Sequence, residues 1–122
     1  MQRILVIDDD EQMRALLRDI LERAGYEVTE AQHGLEGLRL FRACPADLVV
    51  TDLIMPEKEG VETILELRAE FPEVPIIAVS GGGRNGPRDY LEIAARLGAR
   101  RTVAKPFTRQ EILAAVQQSL MP

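Results

Sequence analysis

The stretch "ILVIDDDEQMR" sets three aspartates, Asp8, Asp9 and Asp10, directly behind the apolar run Ile4 to Ile7. Adjacent carboxylates repel one another, and dehydrating them at the end of a buried segment costs several kcal/mol or more. Solvent, a helix N-terminus or a cation can offset that cost. Three more segments place a reactive group behind an apolar run: Asp52 in "LVVTDLIMP", Ser80 in "IIAVSGGG" and Lys105 in "TVAKPF". Brought together, Asp8, Asp9 and Asp52 with one amine make a site with excess negative charge. A hard divalent cation with oxygen ligands relieves such an excess. Mg²⁺ suits it best, because it binds through one or two carboxylates and leaves room for an incoming phosphate. An aspartate can also attack phosphorus to give an acyl phosphate, and it needs no general base, being ionised already near neutral pH. The Ser80 hydroxyl and the Lys105 ammonium would then hold phosphoryl oxygens, so that catalysis rests on positioning and electrostatics.

Residues so far apart in the chain need a scaffold to meet. Short runs rich in Val and Ile, nearly continuous in apolar character, predict strands at Arg3–Ile7, Tyr26–Glu30, Asp47–Thr51, Pro75–Val79 and Arg100–Ala104. Helical spacing falls between and after them. Met13, Leu16, Leu17, Ile20 and Leu21 share one face, and Gly25 supplies a stop. A second helix is expected from about Leu35 to Arg42, before Pro45. The third carries Val61, Ile64 and Leu65, and the fourth Tyr90, Ile93, Ala94 and Leu97. The last opens with Thr108 and Glu111 at capping-box spacing and presents Leu113, Val116 and Leu120. Alternating units of this length predict an α/β domain, a parallel sheet with helices on both faces and right-handed crossovers. Function in such sheets collects at the carboxyl ends of the strands. Asp8 and Asp9, Asp52, Ser80 and Lys105 stand at four of the five predicted ends; Glu30, Ala31 and Gln32 follow the second without obvious chemistry.

Composition narrows the classes. A chain of 122 residues suits one domain with a real core, and neither an internal repeat nor a linker divides it. Residues 1–122 therefore read as a single domain. A net charge of -5 argues against a nucleic-acid surface, which would show a basic stripe. No apolar stretch approaches the roughly 20 residues of a membrane span, and no secretory signal opens the chain. Cys44, the single cysteine, offers neither an internal disulfide nor a metal cluster and reads as an apolar helix-end residue; a reducing cytoplasm fits. Asp10 is expected at the start of the first helix, as a cap or a solvated residue, and His33 in a loop.

In order and separation, "VIDDDEQMR", "VVTDLIMPEKEG", "IIAVSGG" and "AKPF" resemble the signature segments of the response-regulator receiver domain of two-component signalling, over essentially the whole chain. The resemblance implies a flavodoxin-like fold, a five-stranded parallel sheet in the order 2-1-3-4-5 with five helices on its two faces. It implies that Asp52 accepts a phosphoryl group from a sensor histidine kinase or a phosphotransfer protein. The receiver itself would catalyse that Mg²⁺-dependent transfer and slowly reverse it by hydrolysis, as a switch and not a turnover enzyme. Asp8, Asp9, Asp52 and the backbone carbonyl of Ile54 would hold the metal, Asp9 directly and Asp8 largely through water. Ser80 corresponds to the hydroxyl that contacts the phosphoryl group after activation, Lys105 to the lysine that pairs with it, and Pro106 to the family's cis-proline.

Two features depart from the family pattern. The segment "SGGGRNGPRDY" is unusually rich in glycine, and an order–disorder switch over Gly81–Gly86, its Gly81–Gly83 part included, is expected to accompany phosphorylation. Thr102 stands where many receivers carry an aromatic residue whose rotation reports activation. No effector domain is expected within these residues, which read either as a stand-alone regulator acting through protein contacts or as a fragment of a longer protein. The face made by the fourth helix, fifth strand and fifth helix is the family's usual partner or homodimer surface. Arg84, Arg88, Arg96, Arg100 and Arg101 lie in or near it. Two other readings stay open: a degenerate receiver that binds partners without phosphorylation, and a phosphohydrolase similar to the haloacid dehalogenases. The latter's D-x-D spacing is matched by Asp8 and Asp10, but the following residues depart from its pattern.

Overall fold

Strands β1 (Arg3–Ile7), β2 (Glu27–Ala31), β3 (Leu48–Asp52), β4 (Ile76–Ser80) and β5 (Arg101–Ala104) pair in parallel in the order β2-β1-β3-β4-β5. Around this sheet lie α1 (Glu11–Arg23), α2 (Gly34–Ala43), α3 (Gly60–Glu70) and α4 (Arg109–Leu120). This computed structural model describes residues 1–53, 60–80, 92, 95, 96 and 98–121. The predicted fourth helix, from Tyr90 to Leu97, falls mostly outside the described residues, as do Ile54, the segment Gly81–Gly86, Arg84 and Arg88; Glu92, Ala95 and Arg96 are helical.

Strand alternation decides which helix covers which face. In β1, Leu5 and Ile7 join a core with Leu38 and Phe41 of α2 and Ile64 and Leu67 of α3. Ile4 and Val6 point the other way, into a second core with Leu17, Ile20 and Leu21 of α1 and Ile112, Ala115 and Val116 of α4. Both faces of the central strands are dry, and their sequences are apolar without a break for that reason. Among the described residues no helix is long and apolar enough to cross a membrane.

The helix ends follow local chemistry. Asp10 is the N-cap of α1 and accepts hydrogen bonds from the backbone N–H of Gln12 at 2.9 Å and Met13 at 3.4 Å. The capping box of Thr108 and Glu111 closes in both directions at 3.1 Å. Gly25, just past α1, takes the positive φ of 97° that the turn into β2 requires. His33 is more than a loop residue: it is the N-cap of α2, its Nδ1 accepting the N–H of Glu36 at 3.2 Å. Cys44 does end α2, but it is exposed and touches the Arg3 guanidinium.

Several expected boundaries and faces are corrected. Four strands begin one residue later than the apolar runs suggest, so Asp52 and Ser80 are the last residues of β3 and β4 and not the first beyond them. Their backbones still pair, Asp52 with Val79 and Ser80 with Ala104. Leu16 and Leu65, assigned to buried stripes, are 46% and 47% exposed. Each sits at the margin of a stripe whose inner positions, Leu17 and Ile20 or Ile64 and Leu67, already fill the space against the sheet.

Candidate functional site

Period-2 alternation carries the reactive side chains to one place. Asp8 follows Ile4 and Val6, Asp52 follows Leu48 and Val50, and Lys105 follows Val103, all rows of the α1 and α4 face. The register pairs Ile7 with Thr51, so one further step sets Asp8 beside Asp52. Carboxylate oxygens of Asp8, Asp9 and Asp52 lie within 4.8 Å of one another. Asp8 and Asp52 are only 2% and 8% exposed, whereas Asp9 is open to solvent. The Lys105 ammonium sits 3.3 Å from Asp8 Oδ2 and 3.7 Å from Asp52 Oδ1. The bond from Lys105 to Pro106 is cis.

The turn after β1 is tied on every side. The Asp8 N–H donates to Ala31 O at 3.1 Å, and Asp8 Oδ1 accepts the N–H of Asp10 at 2.9 Å. The carbonyl of Asp8 accepts from the buried guanidinium of Arg14 at 2.7 Å. After β3, Asp52 Oδ1 accepts the N–H of Leu53 at 2.9 Å, and the N–H of Gly60 reaches Leu53 O at 3.0 Å. Gly60 opens α3 hard against this strand end, where an added Cβ would overlap the Asp52 carbonyl oxygen and lie 2.5 Å from the Leu53 Cα. Burial pushes the Asp8 carboxyl above its ordinary range, and nearby Asp9 adds to the rise; the Asp10 N–H and the Lys105 ammonium pull the other way.

Ser80 differs. It is fully buried, and Ser80 Oγ has no hydrogen-bond partner among the described residues. The structure thus brings Asp8, Asp9, Asp52 and Lys105 together, and the Lys105 N–H donates to the Ser80 carbonyl at 2.9 Å, but the Ser80 hydroxyl bonds to none of them. Thr102 is exposed on β5. Asp10, the second acid of the D-x-D spacing, turns its carboxylate into the first turn of α1. Sequence reasoning overlooked Arg14 and Gly60. Arg14 stands on the stripe of Leu17 and Leu21, and a charge at a core-facing position is the signal that marks it. Gly60 carries no comparable mark, since it is the first residue of α3 and glycine at a helix start is ordinary.

The donor set fits a hard divalent cation: three carboxylates, two of them buried, with one amine, that of Lys105, beside them among the described residues. Asp8, Asp9 and Asp52 are the residues that could hold it.

A doubly wound parallel sheet with a carboxylate cluster and a lysine at its strand ends defines a flavodoxin-like α/β domain with its working edge at the carboxyl side. The sequence model of the response regulator receiver domain matches residues 4–117. The chain is 33% identical to the chemotaxis protein CheY of Thermotoga maritima over 118 residues, covering 96% of each. It is 32% identical to the CheY of Bacillus subtilis, covering 97% of each, and 32% identical to the transcriptional regulatory protein CpxR of Klebsiella pneumoniae, of which it spans 50%. The crystal structure of a response regulator receiver domain protein from Clostridium thermocellum superposes with a TM-score of 0.90 at 31% identity, over 98% of this chain and 94% of that one. The chain belongs to the response regulator receiver family.

Proposed function

We propose that this receiver is a phosphorylation-controlled switch in a two-component pathway, with Asp52 as the phosphoryl acceptor. What supports the reading most is the convergence of the Asp8, Asp9 and Asp52 carboxylates within 4.8 Å, with the Lys105 ammonium against two of them. An oxygen of Asp52 forms the new bond to phosphorus, and the bond from phosphorus to the donor breaks, its electron pair leaving with the donor's imidazole when that donor is a phosphohistidine. Asp8, Asp9 and Asp52 would hold Mg²⁺, with the Ile54 carbonyl, outside the described residues, as the further ligand the family resemblance implies; the ion would supply charge neutralisation at the transferring group. Lys105 holds one phosphoryl oxygen, and the Ser80 hydroxyl donates a hydrogen bond to another. Slow hydrolysis of the acyl phosphate resets the switch, so the domain signals and does not turn over a substrate.

Its partners on this reading are a sensor histidine kinase or phosphotransfer protein upstream and a protein target downstream, with neither nucleic acid nor membrane bound directly. The single sheet supports taking residues 1–122 as one receiver domain. A cytoplasmic setting suits such a pathway, and homodimerisation through the face assigned to the predicted fourth helix, β5 and α4 is a further output of this reading.

Intact-protein mass spectrometry after incubation with acetyl phosphate tests the reading. A gain of one phosphoryl group is expected with Mg²⁺, none without it, and none in Asp52→Asn, which should stay folded. If wild type gains nothing and beryllofluoride with Mg²⁺ leaves its amide spectrum unchanged, the phosphorylation reading fails and a phosphate-independent interaction module takes its place.

A further inference from the structure

Arg14 is the one arginine among the described residues that is buried, and a buried guanidinium needs a reason. Its partners supply one. Arg14 Nη1 donates to the Asp8 carbonyl at 2.7 Å, and its Nε lies 3.2 Å from Glu30 Oε1, on the second-to-last residue of β2. Its own backbone N–H donates to Asp10 O at 3.0 Å. One residue thus grips the Asp8–Asp10 turn at both ends. Glu30 fixes the guanidinium in turn, and Arg18 shares Glu30 from one helical turn further on. Neither Arg14 nor Glu30 offers a group to the carboxylate cluster itself.

We infer that Arg14 is a positioning residue for cation uptake: by holding the Asp8 carbonyl against β2 it fixes the turn that aims the Asp8 and Asp9 carboxylates at one point. The inference rests on the reading above, in which those carboxylates take Mg²⁺. Carboxylates that must converge on a small ion lose affinity when their backbone is free to splay. Partners of this supporting kind are commonly worth about 10–100-fold in metal affinity.

Charge alone predicts the opposite sign, and that makes the idea testable. Arg14 carries a positive charge beside a cation site, so removing it on Coulombic grounds would tighten Mg²⁺ binding. Removing it as a support would loosen binding. Mg²⁺ affinity of the whole chain is measured by amide shifts at Asp9 and Leu53 during titration, for wild type, Arg14→Met and Arg14→Lys, with thermal unfolding recorded for each. Arg14→Met keeps the apolar stem and is expected to weaken binding about tenfold. Arg14→Lys keeps the charge but cannot hold both the Asp8 carbonyl and Glu30 from one ammonium; it should weaken binding by a smaller factor. It also carries the test alone if Arg14→Met does not fold. Unchanged or tighter binding in the folded variants overturns the role of Arg14 while leaving the site reading intact. Absence of Mg²⁺ uptake by wild type overturns both.

Discussion

The ends of β1 and β4 lie on either side of β3 and are built in opposite ways. At the β1 end each polar group of Asp8 has a fixed partner: Ala31, Asp10, Arg14 or Lys105. At the β4 end the Ser80 hydroxyl is buried with no partner among the described residues. Both arrangements carry a cost in the resting protein, the first because charge is confined, the second because a donor goes unused. The difference teaches a division of labour. On the proposed switch, the acidic end would be pre-organised to receive a ligand of fixed geometry, while the hydroxyl end would hold back a hydrogen bond for the phosphorylated state.

The largest effect should come from breaking the organised end through Gly60. An alanine there would place its Cβ on the backbone of Asp52 and Leu53, and neither strand end nor helix start can yield cheaply. Overpacking against backbone costs about 3 kcal/mol. Gly60→Ala should therefore lower the unfolding free energy by roughly that amount in urea titrations and also impair Mg²⁺ binding, since α3 leans on Asp52 itself. Stability within about 0.5 kcal/mol of wild type would mean that the contact relaxes without consequence.

Asp8→Asn acts on the same end with the opposite sign and a smaller size. Burial raises the Asp8 pKa above its ordinary 3.8, so the folded state holds that proton more tightly than the unfolded chain. Stability from this group is then fully present below the ordinary value and is lost as pH rises through the folded one. Asparagine has no such charge to confine. In metal-free buffer with chelator the variant should match wild type in acid and exceed it near neutral pH, while losing most of its Mg²⁺ affinity. A neutral-pH stability below that of wild type would show that the Lys105 and Asp10 contacts outweigh the cost of burial.

The parts of this architecture that were legible in the sequence are those set by short-range chemistry. Strands covered on both faces leave apolar runs that cannot be missed, and Thr108 with Glu111 or Asp10 before α1 mark helix starts by residue type. Strand ends were harder by one residue, because ladder pairing continues through Asp52 and Ser80 although their side chains are polar. Leu16 and Leu65 were assigned inward because periodicity gives a stripe its direction but not its width. His33 as a cap escaped notice because the imidazole is an uncommon choice for the role. The acidic cluster could be listed residue by residue, yet its support could not: Arg14 reaches Glu30 across a separation of 16 residues, a tie that exists only once β2 lies beside β1.

The smallest effect on stability belongs to the unused hydroxyl, and it separates the two ends most cleanly. Ser80→Ala removes a buried donor that has no partner among the described residues, so the resting fold should gain about 1 kcal/mol or stay unchanged. A loss beyond that range would reveal a partner and dissolve the contrast with the Asp8 turn. Mg²⁺ affinity should remain within about twofold of wild type, since no hydrogen bond joins Ser80 to the carboxylates. The consequence should appear only with a phosphoryl mimic bound. Beryllofluoride should still attach at Asp52 in Ser80→Ala, but the spectral changes it induces along β4 in wild type should be reduced. Full retention of those changes would mean that the hydroxyl's burial is a packing detail. Selective loss, in a variant as stable as wild type, would mean that the resting protein keeps this donor unpaired because its acceptor arrives with the phosphoryl group.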